Sequence, residues 1–172
     1  MPTRSSPLRP QLTDTLWRRG ILVLDDDAAV RRTICAIADR AGWASITAPS
    51  FAEAESLLGT ENFGCVVTDV AIEGIPVDGF LHTLADLCYT APVLLVGAGG
   101  AALRNAAADL AFRLGLNTCH PIAKPIELAT LAIRLSRIDT RLQAGFTGCC
   151  SRDCHWHKAA EVEPETPARA AE

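Results

Sequence analysis

Ile21-Leu22-Val23-Leu24 runs directly into Asp25-Asp26-Asp27, and few folds accommodate such a junction. Four apolar residues without alternation read as a strand buried on both faces, which requires a parallel sheet covered by helices. The carboxylates begin where that strand would end, at the edge where open parallel sheets bind their ligands. Like charges about 4 Å apart repel by roughly 4 kcal/mol at an effective dielectric of about 20, so the cluster needs a reason. Solvation, with Asp27 as the N-cap of the next helix, is one reason. A hard divalent cation that takes carboxylate oxygens is the other. Taken alone, the stretch leaves both open.

At 172 residues the chain holds one domain with tails, and its net charge of -4 is mild. Basic residues do not cluster, which argues against a nucleic-acid partner. The longest apolar run, Ala91 to Leu103, is broken by glycines and falls short of the ~20 residues that span a bilayer. No apolar signal segment is visible near the N-terminus, so no membrane role is expected. Four of the seven cysteines (Cys35, Cys65, Cys88, Cys119) lie in apolar or element-like segments, as small core residues do. A reducing, cytoplasmic setting is the expectation.

Residues 1–19 lack an apolar period and read as a flexible leader. Val30, Ile34, Ile37, Ala38 and Ala41 recur at helical spacing before Gly42. A short strand follows at 44–47, then a capping box at Ser50 to Glu53 opens a helix to about Leu58. Cys65-Val66-Val67-Thr68 is a second buried strand ending in Asp69. A long loop leads to Asp78-Gly79 and a helix to about Leu87. Val93-Leu94-Leu95-Val96 is the fourth strand, followed by glycines and a helix from Ala101 to Leu114. A fifth strand is predicted near 118–122, before Lys124-Pro125. The last helix, from Glu127 to about Gln143, carries Leu128, Leu131, Leu135, Ile138 and Leu142 on one face.

Five strands alternating with five helices predict an α/β, flavodoxin-like, doubly wound parallel sheet of order 2-1-3-4-5 over residues 20–143. That order makes the first and third strands neighbours. Asp25, Asp26 and Asp69 then converge at one end of the sheet, and Lys124 ends the fifth strand at the same edge. Only two of the sixteen Lys and Arg residues are lysines, Lys124 and Lys158, so the compact ammonium at this strand end stands out in an arginine-rich chain.

The ordered set Ile21 to Asp27, Val66-Val67-Thr68-Asp69, Asp78-Gly79, Pro92 to Val96 and Lys124-Pro125 resembles the receiver domain of two-component response regulators. The resemblance covers about residues 20–140. It implies that Asp69 accepts a phosphoryl group from a histidine kinase or phosphotransfer protein. It implies Mg²⁺ held by Asp26, Asp69 and the backbone carbonyl of Ala71, with Asp25 acting through water. Lys124 would meet a phosphoryl oxygen, and the Lys124-Pro125 bond is commonly cis in the family. The domain would be a phosphoacceptor, not an enzyme with turnover, and its output would pass by contact to another protein, with a homodimer through the last helix, where Ile133 lies off the core stripe, as a further reading.

The chain departs from the family at both switch positions. Gly97 stands where a Ser or Thr hydroxyl is usual, and Pro121 where an aromatic residue is usual. In the family, side chains two past the acceptor and two past the first switch position influence how a hydrolytic water is held; here they are Ala71 and Gly99, which offer it no hydrogen bond, so the resemblance implies a long-lived acyl phosphate. Two other functions stay open. One is a pseudo-receiver whose output ignores phosphate. The other is a Mg²⁺-dependent phosphatase of the haloacid dehalogenase kind, with Asp25 and Asp27 as nucleophile and second acid.

From Ala144 the composition changes, and residues 144–172 read as a largely disordered tail. Cys149, Cys150, Cys154, His155 and His157 gather soft and borderline ligands suited to zinc or copper. Their spacing is not that of a zinc ribbon, and a reactive tail without metal is the plainer reading.

Overall fold

The computed structural model describes residues 20–146. The chain runs β1 (Gly20–Leu24), α1 (Ala28–Arg40), β2 (Ala44–Ala48), α2 (Phe51–Leu58), β3 (Cys65–Asp69), β4 (Ala71–Ile72), β5 (Ile75–Pro76), α3 (Asp78–Asp86), β6 (Val93–Gly97), α4 (Ala101–Arg113), β7 (Ile122–Ala123) and α5 (Leu128–Gln143). A five-stranded sheet has the order β2-β1-β3-β6-β7, every pair parallel. Counting only strands of that sheet, this is the expected 2-1-3-4-5 winding.

The buried strands explain the two-layered core. Side chains alternate across a strand with period two. Leu22, Leu24, Val66 and Leu95 therefore face one side, against Ala54 of α2, Phe80, Leu81 and Leu84 of α3, and the alanines 107, 108 and 111 of α4. Ile21, Val23, Val67, Leu94 and Val96 face the other, against Ile34, Ile37 and Ala38 of α1 and Leu131, Leu135 and Ile138 of α5. Because both faces are covered, β1, β3 and β6 read as unbroken apolar runs. The edge strand β2 does not: of its five residues only Ala48 is buried.

Local signals act as the residue types require. Asp27 Oδ1 accepts from Ala29 N at 2.7 Å and Val30 N at 3.4 Å, capping α1. Ser50 Oγ accepts from Glu53 N at 3.3 Å, opening α2.

Four expectations change. The loop after Asp69 contains the β4–β5 ribbon, an antiparallel pair with Ala71 opposite Pro76 and Ile72 opposite Ile75. The fifth strand is shorter and later than 118–122: it spans Ile122–Ala123, and Thr118 makes only an isolated bridge to Val93. Leu128 is 53 % exposed and leaves the apolar stripe of α5, while Ile133 is off that stripe as expected, also at 53 %. Cys88 is exposed, whereas Cys65 and Cys119 are buried. No described helix is long and apolar enough to cross a membrane. The leader and the tail ligands Cys149, Cys150, Cys154, His155 and His157 lie outside the described residues.

Candidate functional site

The register of the central strands builds the site. Leu24 of β1 pairs with Thr68 of β3, and Asp69 of β3 pairs with Val96 of β6. Asp25 and Asp69 thus leave the sheet side by side at its carboxyl edge. β7 pairs Ala123 with Gly97, and the Lys124 amide donates to the Gly97 carbonyl at 2.9 Å, which fixes where the lysine side chain starts. The Lys124–Pro125 peptide is cis.

From there the Lys124 ammonium bridges the two buried acids. Nζ donates to Asp25 Oδ2 at 2.5 Å and also to Asp69 Oδ2. Asp25 is wholly buried and Asp69 nearly so, while Asp26 lies exposed at the rim. One ligand oxygen from each of Asp25, Asp26 and Asp69 falls within 4.8 Å of the others. The sequence therefore named a set of residues that the fold does bring together.

Each group responds to its surroundings in a readable way. Burial raises the Asp25 carboxyl above its ordinary range; the bonds from Lys124 and the Asp27 amide pull it down and are outweighed. Asp26 is lowered, chiefly by the Glu73 amide that donates to its Oδ2 at 2.9 Å. Burial works against the charge on Lys124, but its bonds to Asp25 and Asp69 prevail and raise it.

The β4–β5 ribbon sets the remaining wall. Glu73 and Gly74 both have positive φ, 50° and 78°, as a two-residue hairpin turn of the I′ kind requires. The Val77 amide donates to the Val70 carbonyl at 2.9 Å, so alternation makes Ala71 and Pro76 a pair without ladder bonds. Proline has no amide to give in any case. The Ala71 carbonyl is thereby spared from the ribbon, while its amide donates to Asp69 Oδ1 at 3.2 Å. Three clustered carboxylates and a spared carbonyl are hard oxygen donors, the set that suits Mg²⁺.

Asp27 is not part of this cluster. Its Oδ1 serves as the α1 cap, which answers for one of the three carboxylates by the solvation reading.

Gly97 and Pro121 differ in what they do. A Cβ added at Gly97 would meet Val70 Cγ2 at 2.6 Å and Arg104 Cγ at 3.3 Å, so no side chain fits there as the neighbours stand. Pro121 lines a shallow pocket of about 230 Å³ with Ile122, Ala123, Pro125, Glu127 and Thr130, away from the acids.

Two arginines escaped the sequence reading. Arg31 of α1 folds back so that Nη1 donates to the carbonyls of Asp25 at 2.5 Å and Asp26 at 3.1 Å, bracing the acidic loop. Arg104 of α4 donates through Nη1 to the carbonyls of Gly99 at 2.5 Å and Gly97 at 3.5 Å. Arg31 lay in a helical pattern one turn past the cap, and Arg104 one turn past a glycine run. Only that proximity to strand ends could have flagged them.

No protein-family model matches the chain. A curated relative, ethylene receptor 4 of Oryza sativa subsp. indica, is 32% identical over 130 residues, which is 69% of this chain and 16% of that receptor. The chain thus spans about a sixth of the length of that receptor. Among solved structures, a response regulator from Chloroflexus aurantiacus aligns with TM-score 0.60 and 26% identity, covering 72% of this chain and 98% of that one. A CheY-like receiver domain protein from Methanospirillum hungatei aligns with TM-score 0.63 at 18% identity, covering 74% and 98%. A response regulator from Burkholderia pseudomallei, solved with a phosphorylated aspartic acid, calcium ion and citrate, aligns with TM-score 0.59 at 24% identity, covering 74% and 72%. With its 2-1-3-4-5 sheet and its acids gathered at the carboxyl edge, this chain has the fold of a response-regulator receiver domain.

Proposed function

We propose that the chain accepts a phosphoryl group on Asp69 and passes on its presence by contact with another protein. The observation that carries this reading is the Lys124 bridge between Asp25 and Asp69, with a third carboxylate within 4.8 Å. A lone structural lysine would need one partner, whereas this one holds an acceptor and its neighbour in place.

Phosphoryl transfer asks the protein for an aligned acceptor and for positive charge, with little covalent help. An Asp69 oxygen attacks phosphorus in line. The bond from phosphorus to the donor, an imidazole nitrogen or an acetyl oxygen, breaks and its electron pair leaves with the donor. The product is an acyl phosphate on Asp69. The Ala71 amide on Oδ1 orients the carboxylate, and Lys124 is placed to take up a phosphoryl oxygen once the group arrives. Asp25, Asp26, Asp69 and the Ala71 carbonyl would hold Mg²⁺, which when bound neutralises charge on the entering group. The donor would be a histidine kinase or phosphotransfer protein, the setting cytoplasmic, and the domain a carrier of signal without substrate turnover.

The closure of the Gly97 position by Val70 favours the second reading, a receiver fold whose output ignores phosphate. Use of Asp27 as a helix cap speaks against the third, a phosphatase with Asp27 as second acid. Incubation with acetyl phosphate and Mg²⁺, read by intact mass, separates the three. One added phosphoryl group that persists for minutes on the wild type and is absent from Asp69→Asn is the expected result. No adduct on the wild type favours phosphate-independent output, and steady hydrolysis of small phosphate esters favours the phosphatase.

Metal binding has its own test. Mg²⁺ at about ten times its Kd is expected to raise Tm by roughly 3–5 °C through linkage, and Asp26→Asn to remove most of that rise. A melt indifferent to Mg²⁺ would count heavily against the ion site.

A further inference from the structure

We propose that Arg104 contacts and so senses the phosphoryl group, in place of a hydroxyl at the end of β6. This rests on Asp69 being the acceptor. The end of β6 has no side chain to move: Gly97 carries none, and Val70 Cγ2 and the Arg104 stem occupy the space where one would begin. What the segment does have is the Arg104 guanidinium, whose Nη1 holds the carbonyls of Gly97 and Gly99 together. Gly99 sits at φ 86°, Gly100 caps α4 without a side-chain bond, and a Cβ on either would touch nothing within 4 Å. The turn from β6 into α4 is therefore open around its glycines and is gripped by one cation.

That cation is near the chemistry. The Gly97 carbonyl accepts from Arg104 Nη1 and also from the Lys124 backbone amide, so one oxygen links Arg104 to the strand end from which the Lys124 side chain starts. Asp69 lies on the adjacent strand opposite Val96, roughly 4.8 Å across the sheet and one residue back from Gly97. A guanidinium bound to neutral carbonyls exchanges them favourably for phosphoryl oxygens, because the phosphoryl group adds full negative charge and a geometry that matches the guanidinium fork. The Asp69 adduct then draws Arg104 off Gly97 and Gly99, and the turn and the first residues of α4 lose their brace. The signal leaves as a loosened 97–103 segment.

The test is hydrogen exchange on the full chain with and without acetyl phosphate and Mg²⁺, with adduct formation followed by intact mass in the same samples. In the wild type, amides of 97–103 are expected to exchange about tenfold faster on loading. In Arg104→Gln they exchange fast before loading, and in the fraction that intact mass shows to be loaded they change little. Arg104→Lys should restore part of the contrast. The guanidinium resonances of Arg104 in ¹⁵N-labelled wild type, which need no variant, should shift on loading. An adduct with unchanged exchange and unchanged Arg104 resonances overturns this role and leaves Asp69 as acceptor. No adduct on the wild type overturns both.

Discussion

Lys124→Met is expected to destabilise the metal-free protein by about 3–5 kcal/mol near pH 8, the usual penalty for removing one partner of a buried ion pair. Asp25 is entirely buried, and after the substitution its carboxylate would face Asp69 with no opposing charge. The pH dependence follows from the same geometry. Asp25 is already raised above its ordinary 3.8 by burial, and losing Lys124 removes the strongest influence lowering it. A group with a raised folded pKa is a burden where it must ionise and ceases to be one as pH falls through that raised value. The deficit of the variant should therefore shrink on acidification toward 3.8, as Asp25 takes up a proton. In the wild type, Lys124 is raised above 10.5, so its contribution is complete below that value and is lost only as pH climbs through the higher one. Urea midpoints of both proteins in chelator at pH 5 and pH 8 check this. A deficit that grows on acidification would show that the bridge is not what holds Asp25.

Gly97→Thr should cost about 1–3 kcal/mol, the range for forcing extra atoms into a packed site. A threonine Cβ would lie 2.6 Å from Val70 Cγ2, a methyl on a side chain only 3 % exposed. Val70→Ala removes that methyl and on its own opens a small cavity, at about 1–2 kcal/mol. Combined, the two changes should cost clearly less than their sum, because each supplies what the other lacks. Strictly additive denaturation midpoints would mean that Val70 yields freely and does not exclude a side chain at 97. The same double variant also provides a hydroxyl at the end of β6, so its hydrogen exchange on loading bears on how the signal leaves.

Much of this molecule is legible in its sequence because its central strands are buried on both faces. Ile21 to Leu24, Val66 to Thr68 and Val93 to Val96 could hardly be anything else, and each delivers its following residue to the carboxyl edge. Asp25, Asp69 and Lys124 were thus locatable from local pattern plus winding rules. The fifth strand was misplaced because Thr118 to Pro121 has the look of a strand but carries a proline and makes only one bridge to β6. Leu128 fits the helical stripe of α5, yet periodicity does not tell where the sheet beneath a helix ends. The ribbon after Asp69 was hidden by the unusual demand of positive φ on Glu73, a residue type that does not announce a turn. The reach of Arg31 and Arg104 back over strand ends was illegible for a simpler reason: long side chains choose partners in three dimensions. Gly97 could be seen as a departure, but its cause, a valine in the bend just past the neighbouring strand, belongs to packing alone.

The bond from the Glu73 amide to Asp26 Oδ2 ties an exposed acid to a hairpin 47 residues further along the chain. Asp26 is thus aimed from outside its own loop, and one of its oxygens is committed to that tether. Lengthening or shortening the tip at Glu73-Gly74 would swing the carboxylate relative to Asp25 and Asp69. Natural or engineered variation in hairpin length is accordingly a dial for the acidic pocket, adjustable without altering any of its carboxylates.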